Sequence, residues 1–120
     1  MDWKLDDGRP IWPQLSQQLA RRIIAGVYPP GSRLPSVREL AAEAGVNPNT
    51  MQRALAQLEQ EGLAKAGRTT AGRLVTQDRQ VLESVRLREA QAVIQGYYEA
   101  MSALGYSRER AAELLKEEFS

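Results

Sequence analysis

The chain has 120 residues, of which 42% are hydrophobic and 26% charged, as in an ordinary soluble domain with or without an appendage. It contains no cysteine and no histidine, which excludes disulfides, thiolate or imidazole metal sites and histidine-based acid–base catalysis. No apolar run approaches a membrane span and no signal-peptide pattern is present, so we expect a cytoplasmic protein with no membrane partner and no cofactor.

The net charge of +1 conceals a difference between two parts of the chain. Residues 1–76 contain ten Lys and Arg against seven Asp and Glu, a net charge of +3. Residues 77–120 contain six against eight, a net charge of −2. A mildly basic first part is compatible with nucleic-acid binding but does not establish it.

The first predicted elements are an irregular arm, which closes at Pro10, and a helix that begins near Trp12. Gly26 and the proline-rich segment behind it end this helix and form a loop. Apolar residues recur within the helix at spacings of three and four, which predicts one buried face. They are Trp12, Leu15, Leu19 and Ile23.

Two further helices are predicted from their caps. Ser36 precedes a short helix, and Glu39 at the third helical position completes a capping-box pattern. Gly45 is a favoured residue just after a helix end. Asn47 then caps the next helix, with Pro48 at its first position. Two helices joined by so short a turn are typical of a helix-turn-helix.

The third predicted helix has one apolar face and one polar face, and it contains no acid before Glu59. Asn and Gln pair with adenine and Arg with guanine in the major groove, and a helix N-terminus attracts phosphate. Acids held at the far end of the helix would not repel DNA from its start. An ordinary solvated face is the alternative. The candidate recognition residues are Asn47, Asn49, Thr50, Gln52 and Arg53.

Two short segments, residues 63–66 and 72–76, flank a turn rich in Gly, Thr and Arg and predict a β-hairpin. No acid occurs between Glu61 and Asp78, so the hairpin is basic. A basic hairpin behind a recognition helix is typical of a winged helix-turn-helix, whose wing reaches phosphates or the minor groove. A hairpin that is merely soluble is the alternative. The candidate wing contacts are Lys65, Arg68, Thr69, Gly72 and Arg73.

The tail, residues 77–120, predicts one long helix, a break at Gly105 and a final helix capped by Ser107. Two such helices cannot bury a stable core by themselves, so we expect the tail to pair with a second copy in a homodimer. Three tail residues form either dimer core or a pocket for a small-molecule effector, and these are Tyr97, Tyr98 and Met101. The apolar stripe of the final helix consists of Ala111, Leu114, Leu115 and Phe119.

The run from Gly26 to Ala41 has the pattern G-x-x-x-P-G-x-x-L-P-S-x-R-x-L-A, and "VNPNTMQRA" follows at residues 46–54. With these motifs the chain resembles the DNA-binding domain of GntR-family bacterial regulators. The short two-helix tail is similar to that of the YtrA-type subfamily. The resemblance covers residues 10–76 closely and the tail by length and pattern.

The resemblance implies a dimeric repressor on a near-palindromic operator, and the subfamily suggests control of a transporter operon. It also implies DNA contacts from Arg38, from the start of the recognition helix and from the wing, and we add Ser36 beside Arg38. Many family members have arginines where Pro48 and Gln52 stand here, so the resemblance carries no guanine contact to these two positions.

The predicted fold class is mainly α with a small β-hairpin wing. Residues 1–76 are expected to form a winged helix-turn-helix DNA-binding domain, and residues 77–120 a helical dimerisation or effector segment. The predicted function is sequence-specific transcriptional regulation by a homodimer on double-stranded operator DNA. The alternative is a winged-helix protein-interaction module without base-specific DNA binding. An enzyme is disfavoured, since the sequence has no nucleophile–base pair, phosphate loop or metal-ligand cluster.

Overall fold

A computed structural model gives the structure of residues 2–67 and 72–118. Helices and one hairpin alternate along these ranges in the predicted order, which confirms the mainly helical fold class. Arg68 and Thr69 of the predicted wing, and Phe119 of the final stripe, lie outside the described residues. The elements are α1 Ile11–Ile24, α2 Val37–Ala44, α3 Pro48–Gln60, β1 Ala64–Ala66, β2 Arg73–Val75, α4 Arg79–Ala103 and α5 Arg108–Glu118.

The N-terminal caps of α2 and α3 form as predicted. Ser36 Oγ accepts a hydrogen bond from Glu39 N at 3.1 Å, and the Glu39 carboxylate accepts one from Ser36 N at 3.4 Å. Asn47 Oδ1 accepts a hydrogen bond from Asn49 N at 2.8 Å. Between the helices Gly45 has a φ of 71°, where glycine avoids the penalty of a Cβ atom. These local bonds fix where both helices begin.

We expect Asn47→Ala to lower the free energy of unfolding by about 1 kcal/mol, because α3 then loses the acceptor for one unpaired amide. Urea denaturation followed by circular dichroism measures this loss. Asn49→Ala is the matched control, since the exposed Asn49 side chain sits inside the helix and alanine is a good helix former. Equal losses in the two variants would contradict the assignment of Asn47 as the cap.

The core of the first part of the chain surrounds α3, which packs against α1, α2 and β1. The apolar faces predicted for these helices are buried there, although Trp12 is only half-buried. Burying one large aliphatic side chain stabilises a fold by about 1.5–3 kcal/mol. The largest fully buried side chains are Leu15, Leu19, Ile23, Leu40, Met51, Leu55, Leu58 and Leu63.

The arm before α1 is held against that helix by two glutamine side chains. Gln18 accepts a hydrogen bond from Lys4 N at 3.0 Å and donates one to Lys4 O at 2.7 Å. Gln14 does the same with Asp6, at 2.7 Å and 2.9 Å. Gln14 and Gln18 are four residues apart, so they lie on one face of α1. Each side-chain amide bonds to both the N–H and the C=O of one arm residue. The arm is therefore ordered by side-chain amides that no local pattern reveals.

A buried guanidinium joins α1 to α2. Arg22 Nη1 donates to Glu43 Oε1 at 3.1 Å and to the Tyr28 hydroxyl at 3.0 Å. The indole of Trp3 lies under the same guanidinium, 4.0 Å from ring centre to Cζ, and its Nε1 also donates to Glu43. Together these contacts fix the arm and the first two helices against one another.

The hairpin is antiparallel and pairs Ala64 with Val75 and Ala66 with Arg73. Residues 31–34, in the loop before α2, also pair with β2 through backbone hydrogen bonds. Gly31 N donates to Val75 O and Leu34 N donates to Arg73 O, both at 2.9 Å. The base of the wing is thus fixed to the helix-turn-helix by backbone hydrogen bonds, in a segment that the sequence indicates only as loop.

The chain divides into two compact units, Met1–Arg86 and Leu87–Ser120. The beginning of α4 belongs to the first unit, where Leu82 and Val85 are buried in the core. This division falls later than the predicted boundary between residues 76 and 77. The assignment of DNA binding to residues 1–76 and of dimerisation or effector binding to residues 77–120 stays a prediction.

Within the second unit α4 is joined to α5. The Tyr97 hydroxyl donates a hydrogen bond to Ala111 O at 2.6 Å, and Ala111 is buried. Ser107 Oγ accepts a hydrogen bond from Arg110 N at 3.1 Å, which confirms Ser107 as the cap of the last helix. Of the predicted final stripe, Leu115 is 42% exposed.

Candidate nucleic-acid interface

A cleft of about 580 Å³ lies between the start of α2, one face of α3 and the hairpin. Three segments that are distant in sequence contribute predicted DNA contacts to its walls. The side chains of this cleft are therefore arranged around one space rather than spread over the surface. The predicted contacts that line it are Ser36, Arg38, Gln52, Gly72 and Arg73.

On the α2 wall, Arg38 is the residue suited to bind a ligand. It is exposed at the second position of the helix and lines the cleft. A guanidinium presents five N–H donors in a planar fork that matches a phosphate or the edge of guanine. Ser36 lines the same wall, but its hydroxyl accepts the capping hydrogen bond of α2. Its main effect is to fix the helix turn that carries Arg38.

On the α3 wall, Gln52 is the predicted recognition residue that lines the cleft. Its exposed amide can both donate and accept, as the edge of adenine requires. Asn49 is exposed one turn earlier, and Thr50 is half-buried. Asn47 uses its side-chain oxygen to cap the helix. The predicted recognition set thus separates into side chains that fix the helix and side chains that face outward.

Arg53 lies against α1 instead of lining the cleft. Its Cζ is 4.6 Å from the centre of the Trp12 ring, within the range of a cation–π contact. Such a contact contributes about 0.5–1 kcal/mol at an exposed site. The helical period places Trp12 with the core residues of α1 and gives no sign of this contact. The aromatic residue Trp12 in the first turn of α1 is the one feature of the sequence that could have suggested a contact with Arg53.

The two faces of the hairpin differ. Lys65 is exposed on β1 and lines a second hollow of about 640 Å³ together with Leu74, its partner in the register. Arg73 and Ala66 form the neighbouring pair and line the cleft. Because side chains alternate along a strand, Lys65 is not brought together with Arg38 and Gln52. Arg68 and Thr69 lie outside the described residues.

Arg33 is a basic residue at the hairpin that the sequence patterns miss. It forms an antiparallel bridge with Leu74. Its side chain lies beside Gly72, where an added Cβ atom would be 3.3 Å from Arg33 Nε. The lack of a side chain at Gly72 leaves room for this guanidinium next to the cleft wall. Arg33 stands in a loop with no periodicity, so only its charge could have indicated it.

One acid also lines the cleft, which corrects the expectation that Glu59 is remote from the DNA-binding face. Gln52 and Glu59 are seven residues apart, or nearly two helical turns, and so share one face of α3. Glu59 Oε1 accepts a hydrogen bond from Arg73 Nε at 2.5 Å. The hairpin and the recognition helix are therefore joined by an ion pair at the wall of the cleft.

Two groups outside the cleft lining, one in the arm and one in α5, have shifted pKa values. The N–H of Gly8 and then the guanidinium of Arg9 lower the pKa of the Asp6 carboxyl in the arm. The carboxylates of Glu117 and Glu113 raise the pKa of Arg110 in α5. Within residues 2–67 and 72–118, no cluster of acids has the arrangement of a metal site, and no helix is long and apolar enough to cross a membrane.

The three tail residues predicted as effector pocket or dimer core differ in their contacts. Tyr97 bonds to α5, and its ring centre is 5.4 Å from that of Tyr98 in an edge-on arrangement. Tyr98 lies under the guanidinium of Arg108 and borders a hollow of about 340 Å³. Met101 is half-buried. Their role as pocket or dimer core stays a prediction.

Comparison with known proteins places this arrangement in a family. Residues 13–71 match the bacterial regulatory proteins of the gntR family. YhcF of Bacillus subtilis, an uncharacterised HTH-type transcriptional regulator, is 30% identical over 97% of this chain and 95% of its own. The chain belongs to the GntR family. The HTH-type transcriptional repressor YtrA of Bacillus subtilis is 46% identical over 54 residues, 45% of this chain and 42% of its own.

A solved GntR family transcriptional regulator from Listeria monocytogenes has the same architecture. It has a TM-score of 0.79 and 34% sequence identity, and the match covers 94% of this chain and 98% of that one. Since this match and that of YhcF run over nearly the whole of both chains, they include the tail as well as the part before it.

Membership of the GntR family confirms the predicted family, its YtrA-like character and the winged helix-turn-helix fold. The protein is a transcriptional regulator with a DNA-binding domain, and its family and relatives are regulators rather than enzymes. In helix-turn-helix proteins the N-terminal part of the second helix meets base edges in the major groove. In this GntR protein that helix is α3.

Proposed function

We propose that this GntR protein is a homodimeric repressor that binds a near-palindromic operator through the cleft between α2, α3 and the hairpin. The observation that carries this proposal is the meeting of Arg38, Gln52 and Arg73 around one space. These are the residue types that bind phosphates and read base edges. They come from the two helices and the hairpin with which a winged helix-turn-helix contacts DNA.

Each wall of the cleft has its own role in this proposal. Arg38 binds a phosphate or a guanine edge where α2 approaches the DNA. Gln52 and Asn49 read bases from α3, whose N-terminal amides attract a phosphate. Gly72 lines the hairpin wall of the cleft, with the Arg33 side chain beside it. The remaining predicted contacts, Lys65, Arg68 and Thr69, belong to the hairpin.

The second unit supports dimerisation. Leu87 and Ile94 are 60% and 51% exposed and lie seven residues apart, so they share one face of α4. Val93 is 60% exposed about 100° around α4 from Ile94. We infer that a second copy of the chain covers these exposed apolar side chains by two-fold symmetry. Two DNA-binding units then face two half-sites.

Repression of a transporter operon is the regulatory role that we infer. YtrA, which is similar over the DNA-binding part, is named a repressor. A dimer seated on a promoter would exclude polymerase, and a small-molecule effector bound by the tail would release it. The YtrA-type tail supports the transporter assignment through subfamily resemblance alone.

The proposal is tested by selecting duplexes from a random-sequence library with the intact protein. We expect an inverted repeat to be enriched, because a two-fold dimer reads two equivalent half-sites. Affinity for the selected duplex should fall by roughly 10³-fold between 50 and 200 mM salt as counterions are released. Sequencing of the selected pool detects the repeat, and fluorescence anisotropy measures the affinity and its dependence on salt. Absence of any enriched duplex, with binding insensitive to salt, would favour the protein-interaction alternative.

A further inference from the structure

We propose that Glu59 is a positioning residue for DNA binding, which holds the hairpin residue Arg73 in the orientation that binds DNA. The inference rests on the proposed function of the cleft, and it assigns an acid a favourable role on a DNA-facing surface. Its basis is the ion pair between the end of α3 and β2.

The geometry of the pair leaves Arg73 able to bind a second anion. Glu59 engages the guanidinium at Nε, which is one of its five N–H donors. In the part of the chain that the structure describes, Arg73 pairs with Glu59 alone. The four terminal N–H groups therefore remain for a phosphate or a base in the cleft that Arg73 lines.

The ion pair is also placed where it can fix the hairpin relative to the recognition helix. The Arg73 side chain is only 16% exposed and that of Glu59 is 36% exposed, so the pair is partly shielded from water. The Arg73 backbone is held separately, because its carbonyl accepts a hydrogen bond from Leu34 N at 2.9 Å. Backbone and side chain of the same residue are thus fixed by two different elements.

Holding an arginine before binding has a thermodynamic consequence. A long side chain that is already ordered loses less conformational freedom when it meets DNA, so more of the contact energy appears as affinity. Against this gain stands the repulsion between the Glu59 carboxylate and DNA phosphates. The two effects have opposite signs, and they can be separated because only the gain depends on Arg73.

The experiment is a double-mutant cycle on the intact chain, with a duplex selected by the wild-type protein as probe. We expect Glu59→Ala to weaken binding by roughly fivefold and Arg73→Ala by roughly tenfold. In the Arg73→Ala background, Glu59→Ala should have no effect or strengthen binding, since only the repulsion remains. Stronger or unchanged binding by Glu59→Ala in the wild-type background would overturn the proposal.

Controls separate positioning from loss of charge and from loss of structure. Glu61→Ala removes the same charge two residues later, outside the cleft lining, and should not weaken binding. Glu59→Gln retains an oxygen for Arg73 Nε and should restore part of the affinity. The thermal midpoint of Glu59→Ala should stay close to that of the wild type, because the backbone of Arg73 is held separately by Leu34 N. A Glu59→Ala variant that loses stability in step with its affinity, or a Glu59→Gln variant that binds no better than Glu59→Ala, would assign Glu59 a merely structural role and overturn the proposal.

Failure of this inference is distinguishable from failure of the proposed function. If the wild-type protein selects no duplex, the DNA-binding role of the cleft is wrong. If it selects one and the cycle shows no dependence of Glu59 on Arg73, only the positioning role is wrong.

Discussion

Ending the chain after Arg86 is expected to give a folded monomer that binds the selected operator roughly 10²-fold or more weakly than the intact protein. The truncation removes the second unit, Leu87–Ser120, together with the exposed apolar surface of α4. Without a partner copy, the two half-sites are bound independently and the gain from linking them is lost. Light scattering gives the mass, and anisotropy titration gives the affinity.

The end point of this truncation follows from the core. Stopping at Thr76, the predicted domain boundary, would also remove Leu82 and Val85, which are buried in the first unit. Each such side chain contributes about 1.5–3 kcal/mol of burial, so loss of folding would be confused with loss of dimerisation. Ending the chain after Arg86 therefore tests loss of dimerisation while the core of the first unit stays complete.

A matched pair of substitutions tests the same surface in the intact chain. Ile94→Asp places a charge on the proposed dimer face and should give a monomer, because an unpaired charge is costly to bury. Ala92→Asp introduces the same charge at an exposed position about 160° around α4 from Ile94 and tests for a general effect of acidity. A dimeric Arg86 truncation, or a dimeric Ile94→Asp variant, would show that the tail does not form the interface.

Arg38→Ala is expected to weaken operator binding by about 1–3 kcal/mol, or roughly 5- to 150-fold, if its guanidinium makes a bidentate contact. The side chain is exposed in the cleft, so its loss should leave the core intact. Thermal denaturation of the variant checks this, and anisotropy at fixed salt gives the affinity.

The operator affinities of two other arginine variants serve as comparisons for Arg38→Ala. Arg21→Ala removes the same charge from an exposed position of α1 outside the cleft lining, and should have little effect. Arg53→Ala should weaken binding less than Arg38→Ala, since Arg53 lies over Trp12 and does not line the cleft. Operator affinity unchanged by Arg38→Ala would remove this residue from the proposed interface.

The helix boundaries could be predicted closely because they depend on neighbours in sequence. Ser36, Asn47 and Ser107 cap helices through hydrogen bonds to amides two or three residues away. The turn at Gly45 is likewise local, since it needs only a residue that tolerates positive φ. Such contacts are nearly independent of how the rest of the chain folds, so the pattern of residue types is enough to place them.

The contacts between surface side chains of different elements could not be predicted in this way. Arg53 lies over Trp12, and Arg73 is paired with Glu59, whereas residue type alone predicts a DNA-facing role for each. Helical and strand periods say which face a residue occupies. They do not say which side chain of another element stands opposite it, because that depends on the distance and angle between the elements.

The sequence by itself determined the order of the elements, their caps, the buried faces and the family, because these follow from local hydrogen bonding, hydrophobic periodicity and a long motif. Only the tertiary structure decided which polar residues meet. Packing α3 against α1 and α2, and pairing the loop at Gly31 with β2, brings Arg38, Gln52 and Arg73 around one cleft. The same packing brings Glu59 to that cleft as well, since Glu59 lies seven residues after Gln52 and so on the same face of α3.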